Sequence, residues 1–517
     1  MIDGIDLDKL DKCQLVSLVR QLAAENDRLE FFIKQMQRAQ FGRRSEKLDP
    51  DQYQLALEDA EQSAAAGQAG VEQVEARQPA SQRPPRPRRE YNRGALPESL
   101  PHEDVFIEPE DKTCPCCGSE LHVIADETSQ MLDIVPAQFK VIVVHRPKYG
   151  CRTCEGAVVQ APAPARPIDG GMATEALIAF VIVSKYLDAV PLYRQAQIYA
   201  RQGIKLDRST LCEWVGRACW WFKPLHDHLL EHLLSSTRIF ADDTPVPVLD
   251  PGRGKTKTGR LWAYARDDRP WQGQAPPAVA YVYSEDRKAE HPIAHLATFK
   301  GVLQVDAYVA FDNLVRARKD DSVILAHCWA HWRRRLYEIH QANGSPLAAE
   351  ALRRIAALYA IEDEIRGASA AHRQAVRAVR SRPLVDDLKA WLEAQIPTLS
   401  GKSPLAEAIR YGLTRWKSFC VFLDDGRVEM DNNTVERTIR PVAMTRKAAL
   451  FAGSDGGAEN WAILGSLIQS AKLNGVEPFA YLRDTLVRLV AGHPINRLEE
   501  LMPWNYAASK APGAATS

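Results

Sequence analysis

Residues 236–249, STRIFADDTPVPVL, begin the most informative segment of this chain for its fold. Two further runs rich in β-branched and aromatic residues follow after turn residues, GRLWAYARDD at 259–268 and PAVAYVYSED at 277–286. RKAEHPIAHLATF at 287–299 has a helical pattern, and GVLQVDAY at 301–308 is strand-like again. The sequence therefore predicts three successive strands, a helix and a fourth strand.

That order is how a ribonuclease-H-like sheet begins, and in such a sheet the first and fourth strands are neighbours. We expect Asp242 to close the first strand and Asp306 the fourth, so that their side chains meet at one site. Two adjacent carboxylates repel each other unless a cation lies between them. Oxygen ligands of this kind suit Mg²⁺ or Mn²⁺, which also bind phosphate oxygens. The sequence thus predicts a divalent-metal site on the sheet.

A third carboxylate lies in DNNTVERTIRP at 431–441. If this stretch is a helix with Asp431 as its N-cap, Glu436 and Arg440 share one face. One hypothesis is an ordinary surface pair worth about 0.3 kcal/mol, and the other is a third ligand beside the two aspartates. The 129 residues between Asp306 and Glu436 are too many for a direct return to the sheet. Helix-forming residues predict a helical insertion at about 345–425.

Length and charge limit the possible functions. A chain of 517 residues is too long for one core, which predicts several domains. Lys and Arg (66) balance Asp and Glu (66), so any affinity for nucleic acid must come from local basic clusters. The start MIDGIDLDKL has no signal-peptide order, and the longest apolar run, ALIAFVIV, is too short to cross a bilayer. We expect a cytoplasmic protein without membrane contact.

The N-terminal region has a heptad pattern. Leu15, Leu22, Leu29 and Met36 recur every seven residues, and Asn26 lies at a seam position, which predicts a parallel coiled-coil dimer over 1–48. The alternative is a single amphipathic helix packed on its own protein. Residues 49–98 include RPPRPRREYNR at 83–93 and predict a flexible linker rich in Pro and Arg.

Five of the 10 cysteines lie between 114 and 154. CPCCG at 114–118 and CRTC at 151–154 can each present two thiolates to one tetrahedral Zn²⁺, which predicts a zinc-binding module at 99–160. Cys116 could substitute for a neighbour. Because four thiolates leave no open coordination position, we expect a structural site. The predicted ligands are Cys114, Cys117, Cys151 and Cys154.

Two further segments each allow two interpretations. RQGIKLDRSTLCEWVGR, within a helical region at 170–234, fits a DNA-binding helix-turn-helix or an ordinary helical hairpin. In HCWAHWRRR at 327–335, His327, Cys328 and His331 have metal-ligand spacing, but the lack of a fourth ligand favours buried tryptophans beside a basic edge. The local positive charge would come from Arg333, Arg334, Arg335, Arg437, Arg440, Arg446 and Lys447.

Motifs along nearly the whole chain resemble, in order, the transposases of the bacterial insertion sequence 66 family. They are FGRRSEKL, CPCCG, CRTCEG, ADDTPVPVL, KTKTGRLWAY, LQVDAY, CWAHWRRRLYEI, DNNTVERTIRP, RKAALFAGS and LNGVEPFAYLRD. The resemblance implies a multidomain α/β protein: a ribonuclease-H-like catalytic core with a helical insertion, plus an N-terminal coiled coil and a zinc-binding module. We expect a leucine zipper at 1–48, a linker at 49–98, a zinc module at 99–160, a helical DNA-binding region at 170–234, a catalytic domain at 235–475 and a C-terminal helical segment and tail at 476–517.

The resemblance also implies catalytic and metal-binding roles for Asp242, Asp306 and Glu436. The family's first aspartate usually stands in an Asp-Glu-Thr-Pro run, and here Asp243 occupies the place of that glutamate. The implied cofactors are Mg²⁺ (or Mn²⁺) and Zn²⁺. The implied partners are DNA, as terminal repeats and target, a second copy or more through the zipper, and small accessory proteins of the same element.

The implied activity is metal-dependent cleavage of element ends followed by strand transfer, with two metal ions about 4 Å apart. Two other functions stay open. One is a structure-directed nuclease that cuts DNA without joining it, and the other is a zinc-containing DNA-binding regulator whose catalytic domain is inactive.

The zinc prediction can be tested on a fragment from Pro101 to Pro162. It should bind one Zn²⁺ per chain and unfold when a chelator is added, because small metal modules derive most of their stability from the metal. Elemental analysis should show that zinc is lost from the Cys114→Ser, Cys151→Ser double mutant. Full zinc occupancy in that mutant would exclude this ligand set.

Overall fold

The computed structural model describes residues 138–150, 158–250, 252, 254–318 and 322–510. All of them belong to the second of two compact units, which begins at Ala137. The predicted coiled coil, the predicted linker and the four cysteines predicted to bind zinc lie outside the described residues. Within the described ranges, no helix is both long enough and apolar enough to span a membrane.

The described residues form seven strands and fifteen α-helices. The strands are β1 Lys148–Gly150, β2 Val158–Gln160, β3 Arg238–Asp250, β4 Lys255–Arg266, β5 Ala278–Ser284, β6 Gly301–Val305 and β7 Val323–His327. The helices up to the last strand are α1 Glu175–Tyr186, α2 Leu192–Arg201, α3 Arg208–Leu234, α4 Glu290–His295 and α5 Val309–Ala317. Those after it are α6 Trp329–Asn343, α7 Pro346–Glu364, α8 Ala370–Val376, α9 Arg382–Gln395, α10 Pro404–Thr414, α11 Trp416–Asp424, α12 Asn433–Ala449, α13 Asp455–Leu473, α14 Pro478–Val490 and α15 Pro503–Lys510.

A mixed five-stranded sheet has the order β5-β4-β3-β6-β7. Strands β3, β4 and β5 pair antiparallel, whereas β3, β6 and β7 pair parallel. The predicted succession of three strands, a helix and a strand is confirmed. Gly301 starts β6 at a close approach to β3, because a Cβ at this position would overlap the carbonyl oxygen of Thr237.

Strand β3 is longer than the sequence predicted. Asp242 does not close it, since β3 continues to Asp250, which pairs with Lys255 of β4. The parallel pairing with β6 ends earlier, at Ala241 opposite Val305. Beyond Ala241, β3 therefore continues through its backbone hydrogen bonds to β4 alone. Asp242 lies at that point.

The two faces of the sheet belong to different cores. Phe240, Val246 and Leu261 pack with α1, α3, α12 and α13, while Ile239 and Trp262 pack with α4 and α5. Helix α13 also protects the free edge of β5, where Ser466 and Ser470 accept hydrogen bonds from the main-chain N–H groups of Tyr281 and Val279. An edge strand with satisfied donors is a poor template for pairing with another chain.

Residues 170–234 fold into α1, α2 and α3. Gly203, with φ +82°, makes the turn between α2 and α3. Helix α3 has 27 residues and buries one side against the sheet core, so only its other side is accessible to a ligand. Both the helix-turn-helix and the hairpin interpretation remain predictions.

Helices α6, α7, α9, α10 and α11 surround a second core, and α7 to α11 occupy the stretch predicted to be a helical insertion. Trp329 and Trp332 are fully buried in this core. Their Nε1–H groups donate to the carbonyl oxygens of Phe419 and Ala408. The prediction of buried tryptophans in 327–335 is confirmed.

A buried guanidinium organises the same helices. Arg377 lies in a π-helical turn between α8 and α9 and has no exposed surface. It donates two hydrogen bonds to the Glu362 carboxylate, at 2.7 and 2.6 Å, and one to the carbonyl oxygen of Phe422. One side chain therefore connects the turn between α8 and α9 to both α7 and α11.

We expect Arg377→Ala to lower the free energy of unfolding by about 3–5 kcal/mol, because it removes both short hydrogen bonds of the buried Glu362 carboxylate and leaves it only Arg373, at 3.5 Å. Arg380→Ala is the matched control, since Arg380 pairs with Glu364 on the surface nearby. Solvent-exposed pairs contribute little, so this change should leave the denaturant midpoint unaltered. Equal midpoints for both variants would show that the buried pair does not support the helical insertion.

Candidate active site

The parallel register of β3 and β6 brings two aspartates together. Ala241 and Val305 form the last pair, so Asp242 and Asp306 follow at the same level of the two strands. Side chains alternate along a strand, and these two lie on the sheet face of Phe240 and Gln304. Helix α12 packs on that face. The two residues that the sequence predicted to meet are thus adjacent.

Glu436 reaches the same face from the first turn of α12. The helix begins after Asn432, which is fully buried and donates from Nδ2 to the carbonyl oxygen of Ala241 at 3.3 Å. The prediction of Asp431 as the N-cap was wrong. Asn432 occupies that position, and its side chain turns to β3, while Asp431 Oδ1 accepts the N–H of Asn433. The helix start is therefore fixed next to the aspartates, and Glu436 lies one turn later.

Burial is the main reason why the two aspartate carboxyls at this site have raised pKa values. It raises the pKa of the Asp242 carboxyl well above the ordinary range, and the charges of Asp306, Asp243 and Glu436 raise it further. Burial also raises the pKa of Asp306, although His331 and the N–H of Tyr308 act in the opposite direction. Such carboxyls favour a bound divalent cation, because its charge offsets both burial and mutual repulsion.

Asp243 is in a different situation on the opposite face. Its side chain is 1% exposed and binds two guanidinium groups, with Arg260 Nη1 at 3.0 Å from Oδ2 and Arg287 Nη2 at 2.8 Å from Oδ1. The Arg287 guanidinium also stacks 3.9 Å from the centre of the Tyr308 ring. The charge of Asp243 is therefore already compensated within the protein, whereas Asp242 faces Asp306 and α12.

Two more side chains lie beside Glu436. His331, in the first turn of α6, places Nδ1 3.8 Å from Glu436 Oε1. Cys328, just before α6, is buried and accepts the main-chain N–H of Asn432 at 3.3 Å. The ligand atoms of Cys328, His331 and Glu436 all lie within 4.8 Å of one another. In the part of the chain that the structure describes, Asp242, Asp306 and Glu436 do not form a group that close.

The sequence grouped His327 with Cys328 and His331, but His327 lies elsewhere. Its ring packs against Phe419, and burial lowers its pKa to about 4. Sequence reasoning missed that Glu436, more than a hundred residues away, is the third neighbour of Cys328 and His331. No local pattern carries that information, because the contact depends on how α12 returns to the sheet.

The predicted basic residues lie in two settings. Arg333 and Arg334 are exposed on α6, Arg437 and Arg440 are exposed on α12, and Lys447 is partly buried. Arg446 was wrongly predicted to face DNA. It is 7% exposed, and its guanidinium donates to Thr244 Oγ1 at 3.0 Å and to the carbonyl oxygen of Pro245. Arg446 lies on the inward side of α12 with Val442 and Thr445 and ties that helix to β3.

Comparison with known proteins identifies the family. Residues 170–460, more than half of the chain, match the family model described as "Transposase IS66 family". The chain belongs to the IS66 transposase family. Residues 111–155 match the zinc-finger binding domain of transposase IS66, and 466–504 match the IS66 C-terminal element. Residues 28–105 match a model described as "Transposase C of IS166 homeodomain".

Proteins similar over most of the chain come from Sinorhizobium fredii. The uncharacterized protein y4jD is 48% identical over 514 residues, which cover 97% of this chain and 98% of that protein. The uncharacterized protein y4qI is 43% identical over 486 residues, covering 92% and 88% respectively. The IS66 transposase family membership supports a DNA transposase that uses zinc and divalent metal ions.

The contrast between Asp242 and Asp243 gives a stability test. A carboxyl whose pKa is raised in the folded state stabilises the fold only while protonated, so its contribution is lost as pH rises through that raised pKa. Without divalent metal at pH 7, Asp242→Asn should therefore unfold at the same temperature as wild type or higher. Asp243→Asn should lose about 2 kcal/mol, because it leaves two arginines without their carboxylate.

Thermal unfolding of both variants at pH 7 and pH 4, with and without Mg²⁺, measures this difference. Any gain of Asp242→Asn over wild type should shrink at pH 4, where the wild-type carboxyl carries its proton. Mg²⁺ should stabilise wild type more than Asp242→Asn. If Asp243→Asn unfolded at the higher temperature instead, Asp243 and not Asp242 would be the carboxylate whose charge the protein leaves uncompensated.

Proposed function

We propose that this IS66 transposase family protein is an Asp-Asp-Glu transposase that cleaves element ends and joins them to target DNA. The observation that carries the proposal is the meeting of Asp242 and Asp306 on one sheet face, opposite the first turn of α12 with Glu436. The strand order, with three antiparallel strands followed by two parallel ones, supports a ribonuclease-H-like core.

Asp242, Asp306 and Glu436 would hold the catalytic metal through their carboxylate oxygens. The raised pKa of Asp242 and of Asp306 favours a cation beside those two carboxyls. When bound, Mg²⁺ or Mn²⁺ supplies activation of a water molecule and stabilisation of the leaving oxygen in phosphodiester cleavage. Asp243 does not compete for the cation, since Arg260 and Arg287 already compensate its charge. Asn432 keeps Glu436 in place through its bond to the residue before Asp242.

The same site would perform both steps. Cleavage leaves a 3′-hydroxyl on the element end, which then attacks a phosphodiester of the target DNA. Each step is an in-line displacement at phosphorus, so no covalent link between protein and DNA is needed. A serine or tyrosine nucleophile has no part in this chemistry.

DNA would approach along the exposed arginines beside the carboxylates. Arg333 and Arg334 on α6 and Arg440 on α12 form no ion pair with any residue that the structure describes, which leaves their charge available for phosphates. Arg437 and Lys447 extend the same positive surface along α12. Arg446 is excluded because it is bonded to β3.

The remaining segments would assemble and position the catalytic domain. We assign protomer pairing to the zipper at 1–48, a structural Zn²⁺ to Cys114, Cys117, Cys151 and Cys154, and DNA binding to the helical region at 170–234. A catalytic domain at 235–475 with the helical insertion would then act on one end in each protomer. Pairing of protomers would hold two element ends together.

Glu436→Gln tests the assignment. It preserves the shape and helix propensity of the first turn of α12 but removes the charge that would hold a metal ion. End cleavage and strand transfer in Mg²⁺ should fall at least a hundredfold, while binding to end DNA stays within a few-fold of wild type, since the arginines contact the phosphates.

Glu459→Gln is the matched control, because Glu459 is an exposed glutamate on α13 away from the site. It should join DNA as wild type does. If Glu436→Gln joined end DNA to target DNA at the wild-type rate, Glu436 would be an ordinary surface residue and the proposed triad would be wrong. If the wild-type protein cuts end DNA but never joins it to a plasmid, the structure-directed nuclease is the correct function. DNA binding without cutting would favour the inactive regulator.

A further inference from the structure

A group of three possible metal ligands lies beside Asp242 and Asp306. The proposed catalysis uses one of them, Glu436, but not the other two. Cys328 and His331 are one helical turn apart at the start of α6, and Glu436 faces them from α12. Their sulfur, nitrogen and oxygen ligand atoms all lie within 4.8 Å of one another. This is the donor set of thiolate, imidazole and carboxylate that zinc prefers.

The His331–Glu436 separation is close to the one that a bound metal ion requires. Zn–N bonds of about 2.0–2.1 Å and Zn–S bonds of about 2.3 Å at tetrahedral angles separate ligand atoms by about 3.4–3.6 Å. The His331 Nδ1 to Glu436 Oε1 distance is 3.8 Å. His331 Nδ1 also has no accessible surface and no hydrogen-bond partner among the described residues, so it is a buried polar atom that lacks a ligand.

The surroundings of the thiol are compatible with coordination. The main-chain N–H of Asn432 donates to Cys328 Sγ, and a metal-bound thiolate can keep such a bond. The main-chain N–H of Cys328 is bonded to the carbonyl oxygen of Val305, which fixes the residue at the end of β6. Both hydrogen bonds hold Cys328 in position beside His331 and Glu436.

A second group of possible ligands does not qualify. Asp286, Glu290 and His291 also lie within 4.8 Å of one another, but they are near the surface, and Asp286 already binds Lys288 and His291. It contains no thiol and no buried atom without a partner among the residues described. Among the described residues, Cys328, His331 and Glu436 are therefore the better candidate for a metal site.

We propose that Cys328, His331 and Glu436 form a binding site for a thiophilic divalent cation such as Zn²⁺, and that this site overlaps the catalytic one. Binding releases the thiol proton to solvent and leaves one tetrahedral position for water. Because Glu436 cannot serve this cation and the catalytic metal in the same geometry, occupancy inhibits the Mg²⁺-dependent reaction. The inhibitory consequence rests on the proposed function, but the binding itself does not.

Binding is tested with Cd²⁺ on the full-length, zinc-loaded protein without DNA. Wild type should bind one more Cd²⁺ per chain than Cys328→Ser, with a correspondingly larger thiolate-to-cadmium charge-transfer absorbance. Any exchange into the zinc module is the same in both proteins and cancels in the difference. His331→Ala, at a half-exposed side chain, should lose the same equivalent and guards against misfolding of the cysteine variant.

Cys420→Ser is the matched control, because Cys420 is a free, partly buried thiol on α11 outside the group. It should bind as much Cd²⁺ as wild type. Equal Cd²⁺ uptake by wild type, Cys328→Ser and His331→Ala, with unchanged melting temperatures, would overturn the site whatever the protein does to DNA.

Inhibition is tested by adding Zn²⁺ to end cleavage in Mg²⁺, with each variant compared with its own rate before addition. The Zn²⁺ concentration that halves the rate should be at least tenfold lower for wild type and Cys420→Ser than for Cys328→Ser. Equal sensitivity of all three, despite the extra Cd²⁺ in wild type, would overturn the overlap with the catalytic site. A protein that binds the extra Cd²⁺ but never cuts DNA would refute the proposed function and leave the metal site standing.

Discussion

The parallel register between β3 and β6 is the constraint on which the candidate site depends. It places Asp242 and Asp306 side by side where β6 ends, and burial raises the pKa of both. The close approach of the two strands at Gly301 leaves no room for a side chain there, so the register has little freedom to shift. Two buried, adjacent carboxylates destabilise the fold when no metal is bound, and for the same reason they strongly favour a cation between them.

The helical insertion contributes to the site as a scaffold. Trp329 and Trp332 fill its core, and Trp329 donates its main-chain N–H to the carbonyl oxygen of Met430. Gln304 of β6 donates to the carbonyl oxygen of Glu429, just before α12. The insertion thus connects the end of β7, the start of α6 and the start of α12, which explains how Glu436 returns to a sheet that the chain left many residues earlier.

The aspartates on the two faces of the sheet differ in whether their negative charge is compensated by arginines. Arg260 and Arg287 neutralise Asp243 on the face of α4 and α5, while Asp242 and Asp306 face α12. Arg446, which could have added positive charge near the aspartates, is bonded to Thr244 and Pro245 instead. The exposed arginines lie on α6 and α12, where their charge can contact the phosphates of DNA.

The succession of strands and helix and the burial of Trp329 and Trp332 were predictable from sequence alone, because alternation and local composition are short-range signals. The meeting of Asp242 and Asp306 was predictable only through the strand succession of a ribonuclease-H-like sheet, because it depends on the long-range pairing of β3 with β6. The sequence also indicated the family, through motifs along the chain. The tertiary structure decided the length of β3, the capping of α12 by Asn432, the inward position of Arg446 and the neighbours of Cys328 and His331. It also separated Asp242 from Asp243: adjacent strand residues point to opposite faces, and only the packing of α12 on one face and the arginines on the other distinguishes two neighbouring aspartates.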